Sequence, residues 1–290
     1  MLKPIRVLLG WQEQDEAIKA LLGAIPKPDQ DVAAQIAEWK SKKAAVLARP
    51  PYSPPTGAYK PLPAHLATQG AAFLQRADVQ ATLRGLHYEL GVVALDDVIA
   101  FQKTVSLEQP QERDEPVSQD DWGQLFARCL PGPGSSEQIG SVLADDGKSL
   151  TISSLNPNLR VSQLGLRDPT AGDQLQFGQK VRFIGFGVAF VTSFVQVAEY
   201  NGRLFLKDGY HCCYRLLSRG VNRVPCVYIR AKNLTEVGAE QSDCFKYDVL
   251  SGPRPPRLKD FHDDSVSVTT QTRALRKVIR IAAEEFFVEI

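Results

Sequence analysis

The sequence predicts an α+β fold in which a helical N-terminal region packs on a small mixed β-sheet domain. Apolar residues recur at helical intervals within residues 31–47. Short runs rich in Val and Phe, bounded by turn residues, begin near residue 139. Between the two patterns, PGPGSS at residues 131–136 interrupts regular structure. We therefore expect a mainly helical region over residues 1–130 and an α+β domain with a C-terminal helix over residues 131–290.

The composition is typical of an ordinary globular protein. The chain has 290 residues, 43% of them hydrophobic and 23% charged, and a formal net charge of +1. Such a chain has no general attraction to nucleic acid or to anionic membranes, so any basic surface must be local. The N-terminus is a poor match to a signal peptide, and no apolar run is long enough to span a bilayer. With five irregularly spaced cysteines, these features predict a cytoplasmic protein with reduced thiols and no membrane association.

The N-terminal region is expected to contain several helices and one proline-rich strap. The first clear helix covers residues 31–47. Residues 49–63, RPPYSPPTGAYKPLP, contain six prolines and predict a polyproline strap packed on the protein's own surface, with an aromatic-lined partner as the alternative. Asp78 is a candidate N-cap of a helix that Gly91 would end. Residues 95–105 predict a further short amphipathic helix, and the whole region is a candidate surface for a protein partner.

The most informative stretch is residues 194–229, where a hairpin, a tight turn, a helix and a strand follow one another. Alternation around Val195 and Val197 predicts a half-buried strand, and Asn201-Gly202 supplies the positive-φ residues of a type I′ turn. The two-residue loop sets the register, which pairs Tyr200 with Arg203, Ala198 with Phe205 and Val197 with Leu206.

The returning strand ends at Asp208-Gly209, where a helix begins that Gly220 would end as its C′ residue. A helix start presents unpaired N–H groups and the positive end of the helix dipole. Asp208 and Gly209 therefore predict either an anion- or phosphate-binding cup or an ordinary helix cap and turn.

The stretch LFLKDGYHCCYRLLSRGVNRVPCVYI resembles the ParB/sulfiredoxin-like superfamily, whose core runs hairpin, "DGxH-R" turn, helix, and a strand beginning "VP". The resemblance covers roughly thirty-five residues, about an eighth of the chain. It implies an α+β domain with a nucleotide or phosphate pocket at this turn. ParB-type members bind CTP, sulfiredoxins bind ATP, and other members are nucleases or amino-acid kinases. The candidate ligand is accordingly a nucleoside triphosphate with Mg²⁺.

The family motif is only partly present. Asp208, Gly209 and His211 match "DGxH", whereas Cys212 replaces the phosphate-gripping arginine, whose planar fork of donors cysteine cannot supply. Tyr210 occupies the position at which sulfiredoxins carry their reactive cysteine, which argues against that chemistry. Arg215 lies one helical turn beyond His211 and either reaches back to the pocket or is a solvated charge.

The resemblance yields one set of candidate site residues. Asp208 and His211 are the candidate catalytic acid–base pair, and Asp208 could also hold a divalent ion that a nucleotide carries. The candidate ligand-binding residues are Gly209, Tyr210, Cys212 and Arg215. Consecutive helical residues point about 100° apart, so His211, Cys212 and their neighbour do not predict a metal site. Three functions compete: a phosphate-ligand binding module with lost or altered catalysis, an active nucleotide-dependent enzyme or nuclease, and a scaffold that binds a protein partner.

Residues 270–287 predict an amphipathic C-terminal helix. Its apolar stripe contains Leu275, Val278, Ile279, Ala282 and Phe286. Its other face is basic, with Arg273, Arg276, Lys277 and Arg280. This basic face is either a solvated surface or a contact for nucleic-acid phosphates.

Overall fold

The computed structural model of the chain describes residues 2–23, 31–54, 56–107, 117–133, 139–144, 148–156, 158–167, 183–239 and 243–288. The chain forms two compact units, each built from two separate segments. Unit 1 comprises Met1–Gly132 and Ser193–Ala274, and unit 2 comprises Pro133–Thr192 and Leu275–Ile290. This division differs from the expected one into residues 1–130 and 131–290, because residues 193–274 belong with the N-terminal residues. Of the expected boundary at 131–136, residues 134–136 lie outside the described residues.

The described residues form both helices and strands. The helices are α1 (Gln14–Leu22), α2 (Val32–Ala48), α3 (Ala67–Leu74), α4 (Ala77–Thr82), α5 (Trp122–Cys129), α6 (Tyr210–Ser218), α7 (Leu234–Val237) and α8 (Tyr247–Ser251). The strands are β1 (Leu2–Val7), β2 (Tyr59–Pro61), β3 (Tyr88–Ala94), β4 (Ile99–Ala100), β5 (Thr104–Ser106), β6 (Gly140–Leu143), β7 (Ser149–Ser154), β8 (Leu159–Arg167), β9 (Phe183–Phe190), β10 (Gln196–Tyr200), β11 (Arg203–Asp208), β12 (Arg223–Arg230), β13 (Val268–Arg273) and β14 (Lys277–Ala282). Short 3₁₀ helices cover Leu9–Trp11, Ala64–Leu66, Leu95–Asp97 and Leu258–His262.

Unit 1 is organised around a mixed six-stranded sheet of order β2-β3-β12-β10-β11-β4. In this sheet β12 is parallel to β10 and antiparallel to β3, while β4 is parallel to β11. A second sheet of unit 1 has the order β13-β1-β5. Unit 2 contains a sheet of order β14-β7-β6 and the pair β8-β9. The mixed sheets and the interspersed helices confirm the α+β class.

The core of unit 1 encloses the middle of the six-stranded sheet. Strand β10 is buried at successive positions, Gln196, Val197 and Ala198. It is therefore covered on both faces, rather than half-buried as its alternation predicted. A strand in the middle of a mixed sheet has neighbours on both edges and layers on both faces, so its polar positions are buried as well.

The N-terminal region is less helical than predicted. Helix α2 confirms the prediction for residues 31–47, and the Asp31 side chain caps it by accepting hydrogen bonds from the backbone N–H groups of Ala33 and Ala34. The helix expected from Asp78 is only the short α4, whose N-cap is Arg76 with Asp78 in its first turn, and Gly91 lies inside β3 instead of ending a helix. A Cβ at Gly91 would lie 2.1 Å from the Tyr59 ring, so close strand packing accounts for this glycine.

Residues 95–105 and 270–287 are not the amphipathic helices that their sequences predicted. Residues 95–105 form a 3₁₀ turn followed by β4 and most of β5. The C-terminal stretch forms β13 in unit 1 and β14 in unit 2. Consequently Arg273 belongs to a different unit from Arg276, Lys277 and Arg280, and these residues share no helical face. β-branched residues occupy four of the six positions of β13 and three of the six of β14, and their preference for extended backbone outweighs the helical spacing.

The described residues contain no helix long and apolar enough to cross a membrane.

Candidate functional site

The hairpin β10–β11 has the predicted register. The pairs are Tyr200 with Arg203, Glu199 with Leu204, Ala198 with Phe205 and Val197 with Leu206. Asn201 has a φ of 51° and Gly202 a φ of 72°, as a type I′ turn requires. The local sequence therefore fixes the position at which β11 ends and the next helix begins.

Helix α6 begins and ends at the predicted glycines. Gly209 is its N-cap, with a φ of 91°, and Gly220 is its C′ residue, with a φ of 79°. The N–H of Gly220 donates to the carbonyl of Leu217, and the N–H of Val221 donates to that of Leu216. These two bonds form a Schellman motif, which turns the chain towards β12.

The junction at Asp208-Gly209 is closed, whereas the sequence predicted an open cup. The Asp208 carboxylate accepts hydrogen bonds from Ser193 Oγ (2.8 Å) and from the N–H of Gly209 (2.7 Å). Gly209 is buried, and a Cβ at this residue would lie 2.8 Å from Val195 Cγ2 and 2.9 Å from Val195 Cα. Burial raises the pKa of Asp208 against the opposing effect of these hydrogen bonds. The geometry thus supports a simple turn at Gly209, which is itself the N-cap of α6; no side chain caps this helix, so the expectation that Asp208 caps it is wrong.

Tyr210 anchors the start of α6 inside the core. Its hydroxyl oxygen accepts hydrogen bonds from the N–H groups of Phe101 (2.9 Å) and Gln102 (3.2 Å). Its ring packs edge-on against Phe101, with 5.8 Å between the centroids. Burial raises the pKa of Tyr210 far above its ordinary value. The side chain therefore ties α6 to the residues that follow β4, and it is not directed at a ligand.

His211 and Arg215 lie on the outer side of α6. Nδ1 of His211 is 3.1 Å from the carbonyl oxygen of Ser106; a carbonyl only accepts, so Nδ1 carries the proton of this bond. Loss of hydration lowers the pKa of His211, and the cations of Arg215 and Lys3 lower it further. Among the described residues, no hydrogen bond joins the carboxylate of Asp208 to the imidazole of His211, so these two predicted catalytic groups do not form a coupled acid–base pair.

Cys212 contacts the neighbouring helix α5. Its Sγ is 3.9 Å from Sγ of Cys129 and 3.6 Å from the carbonyl oxygen of Arg128. The predicted ligand-binding residues of α6 therefore diverge: Tyr210 points into the core, Cys212 towards α5, and Arg215 lies on the other side with His211.

A cavity of about 240 Å³ lies elsewhere in unit 1, and its wall contains three arginines. We call it the arginine cavity. It is lined by Trp11, Arg49, Pro50, Pro51, Tyr52, Ser53, Arg254, Pro255 and Arg257. Its rim residues Pro50, Pro51 and Ser53 are exposed, so it reaches the surface.

Two proline-rich segments frame the arginine cavity and are joined by backbone contacts. The N–H of Tyr52 donates to the carbonyl of Pro253 (2.6 Å), and Nε of Arg254 donates to the carbonyl of Arg49 (2.5 Å). The N-terminal segment thus packs on the protein itself, as predicted. Each segment contains Arg-Pro-Pro, at residues 49–51 and 254–256, and this repetition is the sequence signal that could have linked them.

The three arginines of the cavity differ in whether they form ion pairs with carboxylates. Arg49 forms ion pairs with Asp260 (2.8 Å) and Asp263 (2.5 Å), and its guanidinium lies over the Trp11 ring, 5.2 Å from the centroid. Within the part of the chain that the structure describes, no carboxylate forms an ion pair with Arg254 or Arg257. Burial raises the pKa of Asp260, although the cations of Arg49 and Arg257 oppose the shift. The cavity wall therefore combines one arginine that is paired with two carboxylates and two arginines that form no ion pair among the described residues.

Helix α6 supports the arginine cavity from a distance. The Tyr214 ring stacks on His262, with 4.1 Å between the centroids, and packs edge-on against Phe261. These two residues belong to the 3₁₀ helix Leu258–His262, which also carries Asp260. Helix α6 thus helps to position the carboxylate that holds Arg49.

A second cavity of unit 1, of about 290 Å³, is a largely apolar hollow beside β1 and α1. Ile5, Val7 and Ala20 line its apolar part. At its edge Lys103 Nζ forms an ion pair with Glu16 at 3.0 Å. Lys19 and Asp243 also line the hollow, so its two lysines are matched by two carboxylates and it has no excess of positive charge.

The described residues contain no cluster of three or more His, Cys, Asp or Glu side chains that could hold a metal ion.

Comparison of the chain with known protein families, with curated proteins and with solved structures finds no match. The geometry of the chain itself must therefore support any functional assignment.

Proposed function

We propose that the protein binds a nucleotide or another phosphate-bearing ligand, and that the arginine cavity is the binding site. The observation that carries the proposal is that Arg254 and Arg257, which form no ion pair among the described residues, line the same cavity. Each guanidinium is a planar fork of N–H donors, whose geometry matches two phosphate oxygens. The chain as a whole is almost neutral, so this local concentration of positive charge is the feature that would select an anion.

The size of the cavity limits the part of the ligand that is enclosed. A volume of about 240 Å³ is below the usual range of about 300–1,000 Å³ for small-molecule pockets. We therefore expect the phosphate end of the ligand to be enclosed, while the rest of a nucleotide lies across the exposed rim.

This proposal moves the binding site away from the turn at Asp208–Arg215. It keeps a role for α6, since Tyr214 supports the segment that carries Asp260. A change in α6 would then alter ligand binding indirectly, through the Asp260–Arg49 ion pair.

We also propose that residues 194–230 form a degenerate ParB/sulfiredoxin-like core. The supporting features are the hairpin β10–β11, the turn at Asp208-Gly209, α6, and β12 with Val224-Pro225 near its start. Cys212 replaces the family arginine and contacts Cys129. This departure favours binding without turnover over an active nucleotide-dependent enzyme or nuclease.

The test measures binding of ATP, CTP, GTP and pyrophosphate, each with and without Mg²⁺, by calorimetry and by thermal unfolding. A ligand that binds the folded chain must raise its unfolding temperature. Arg254→Gln and Arg257→Gln each remove a charged donor worth about 1.5–3 kcal/mol, so we expect each to weaken binding by about 10- to 100-fold. Arg215→Gln is the matched control, since it removes the same charge from α6.

The outcomes separate the competing functions. If Arg215→Gln abolishes binding and the cavity variants do not, the site is at α6 and the arginine cavity is refuted. Turnover of a bound nucleotide or of a short DNA duplex that His211→Ala abolishes would support the enzyme alternative. If the chain binds none of the ligands and no DNA, the remaining function is that of a scaffold for a protein partner.

A further inference from the structure

Two cysteine thiols lie beside each other where α5 meets α6. The Sγ atoms of Cys129 and Cys212 are 3.9 Å apart. Cys129 is the last residue of α5 and is fully buried, whereas Cys212 lies in the first turn of α6 and is partly exposed. A disulfide has an S–S bond of about 2.0 Å, so side-chain rotation that brings the sulfur atoms roughly 2 Å closer would allow a bond.

The two thiols have different environments. The hydrogen bond with Cys212 and burial raise the pKa of Cys129 well above its ordinary value, so Cys129 remains protonated at neutral pH. Cys212 lies at the start of α6, where the helix dipole favours negative charge on sulfur, and solvent reaches it. The adjacent Cys213 is buried, and burial raises its pKa as well. Cys212 is therefore the residue that reacts first, and Cys129 is the neighbour that can resolve the product.

We infer that Cys129 and Cys212 form a redox-sensitive dithiol, which hydrogen peroxide converts into a disulfide linking α5 to α6. This inference is independent of the proposed ligand.

In the first step the Cys212 thiolate attacks one peroxide oxygen. An S–O bond forms, the O–O bond breaks, and hydroxide leaves, so Cys212 becomes a sulfenic acid. In the second step the sulfur of Cys129 attacks the sulfur of Cys212. The S–S bond forms, the S–O bond breaks, and the departing hydroxide takes the Cys129 proton as water. Together the two sulfur atoms lose two electrons and the peroxide gains them.

The test treats the reduced full-length protein with hydrogen peroxide, blocks the remaining thiols with N-ethylmaleimide under denaturing conditions, and maps tryptic peptides without reduction. Trypsin releases Cys212 and Cys213 in one peptide, DGYHCCYR, and separates them from Cys129. We expect a cross-link between this peptide and the Cys129 peptide, the loss of two of the five thiols, and full reversal by dithiothreitol.

Three variants assign the cross-link. Cys213→Ser is the matched control and should keep it. Cys212→Ser should abolish it, and Cys129→Ser should leave a Cys212 sulfenic acid that dimedone traps. If Cys129→Ser or Cys212→Ser fails to fold, the cross-link in the wild-type chain together with its presence in Cys213→Ser decides the question. Oxidation of Cys212 to sulfinic acid without a cross-link, or a cross-link that Cys213→Ser removes, would overturn the inference.

Discussion

The substitution Gly209→Ala tests whether the junction between β11 and α6 is closed. Two separate costs arise at this residue. A φ of 91° places Gly209 in the left-handed region, where a Cβ costs about 1–2 kcal/mol. The new Cβ would also lie 2.8 Å from Val195 Cγ2 and 2.9 Å from Val195 Cα. Overpacking of this kind typically costs about 1–3 kcal/mol. We therefore expect Gly209→Ala to destabilise unit 1 by about 2–5 kcal/mol.

Gly220→Ala is the matched control at the other end of α6. Gly220 has a φ of 79°, and nothing lies within 4 Å of a Cβ built on it. It therefore carries the backbone cost of about 1–2 kcal/mol without the collision. Both substitutions reduce the entropy of the unfolded chain in the same way. The difference between the two variants thus isolates the close approach of Gly209 to β10, for which we expect about 1–3 kcal/mol.

Urea unfolding followed by tryptophan fluorescence measures both variants. Trp11, Trp39 and Trp122 all belong to unit 1, so the signal reports the unit that contains α6. Equal losses of stability in the two variants would show that Gly209 does not pack against Val195. The junction would then have room for a ligand, and the closed geometry would be refuted.

Three further predictions concern single side chains. Tyr210→Phe should cost about 1–3 kcal/mol in urea unfolding, because it leaves the buried N–H of Phe101 without an acceptor; unchanged stability and unchanged amide exchange at Phe101 would contradict this. Asp260→Asn should cost about 1.5–3 kcal/mol, because it takes one carboxylate partner from Arg49, and it should strengthen phosphate binding in calorimetry, because it removes a negative charge from beside the cavity. His211 has a folded-state pKa below its unfolded value, so its contribution to stability is present above about pH 6.5 and is lost as the pH falls through the folded pKa. His211→Gln should therefore reduce the fall in the urea midpoint between pH 7.5 and pH 5.5, two values that flank the pKa of roughly 6.5 of free histidine. If the midpoints of the two proteins fall in parallel with pH, the lowered pKa of His211 is refuted.

The central supersecondary unit was predictable because its signals are local. Asn201-Gly202 requires a tight turn wherever it connects two strands, and Gly209 and Gly220 mark the ends of a helix whatever surrounds it. The side-chain environments around these glycines were not predictable. Whether Gly209 is open to solvent depends on Val195 and Ser193, and the turn sequence does not specify how closely they approach.

The division of the chain and the C-terminal strands depend on long-range pairing. Strand β13 pairs with β1, more than 260 residues away in sequence, and β14 pairs with β7. Helical spacing of Leu275, Val278 and Ile279 describes one isolated segment and does not reveal which strands are available as partners. A prediction based on local hydrophobic periodicity therefore assigns one helix to a segment that forms two strands, each paired in a different sheet.

The arginine cavity and the α6 turn illustrate two different ways to bind phosphate. The start of a helix binds phosphate through backbone N–H groups. At the start of α6, the N–H of Gly209 already donates to the carboxylate of Asp208. The segments around the cavity are rich in proline, which has no N–H group, so their backbone offers few donors. Their prolines hold the backbone rigid and leave the guanidinium groups of Arg254 and Arg257 as donors. Binding at the cavity should therefore depend on side-chain charge and weaken steeply with salt, as exposed charge interactions do, whereas amide-based binding at α6 would be less sensitive to salt.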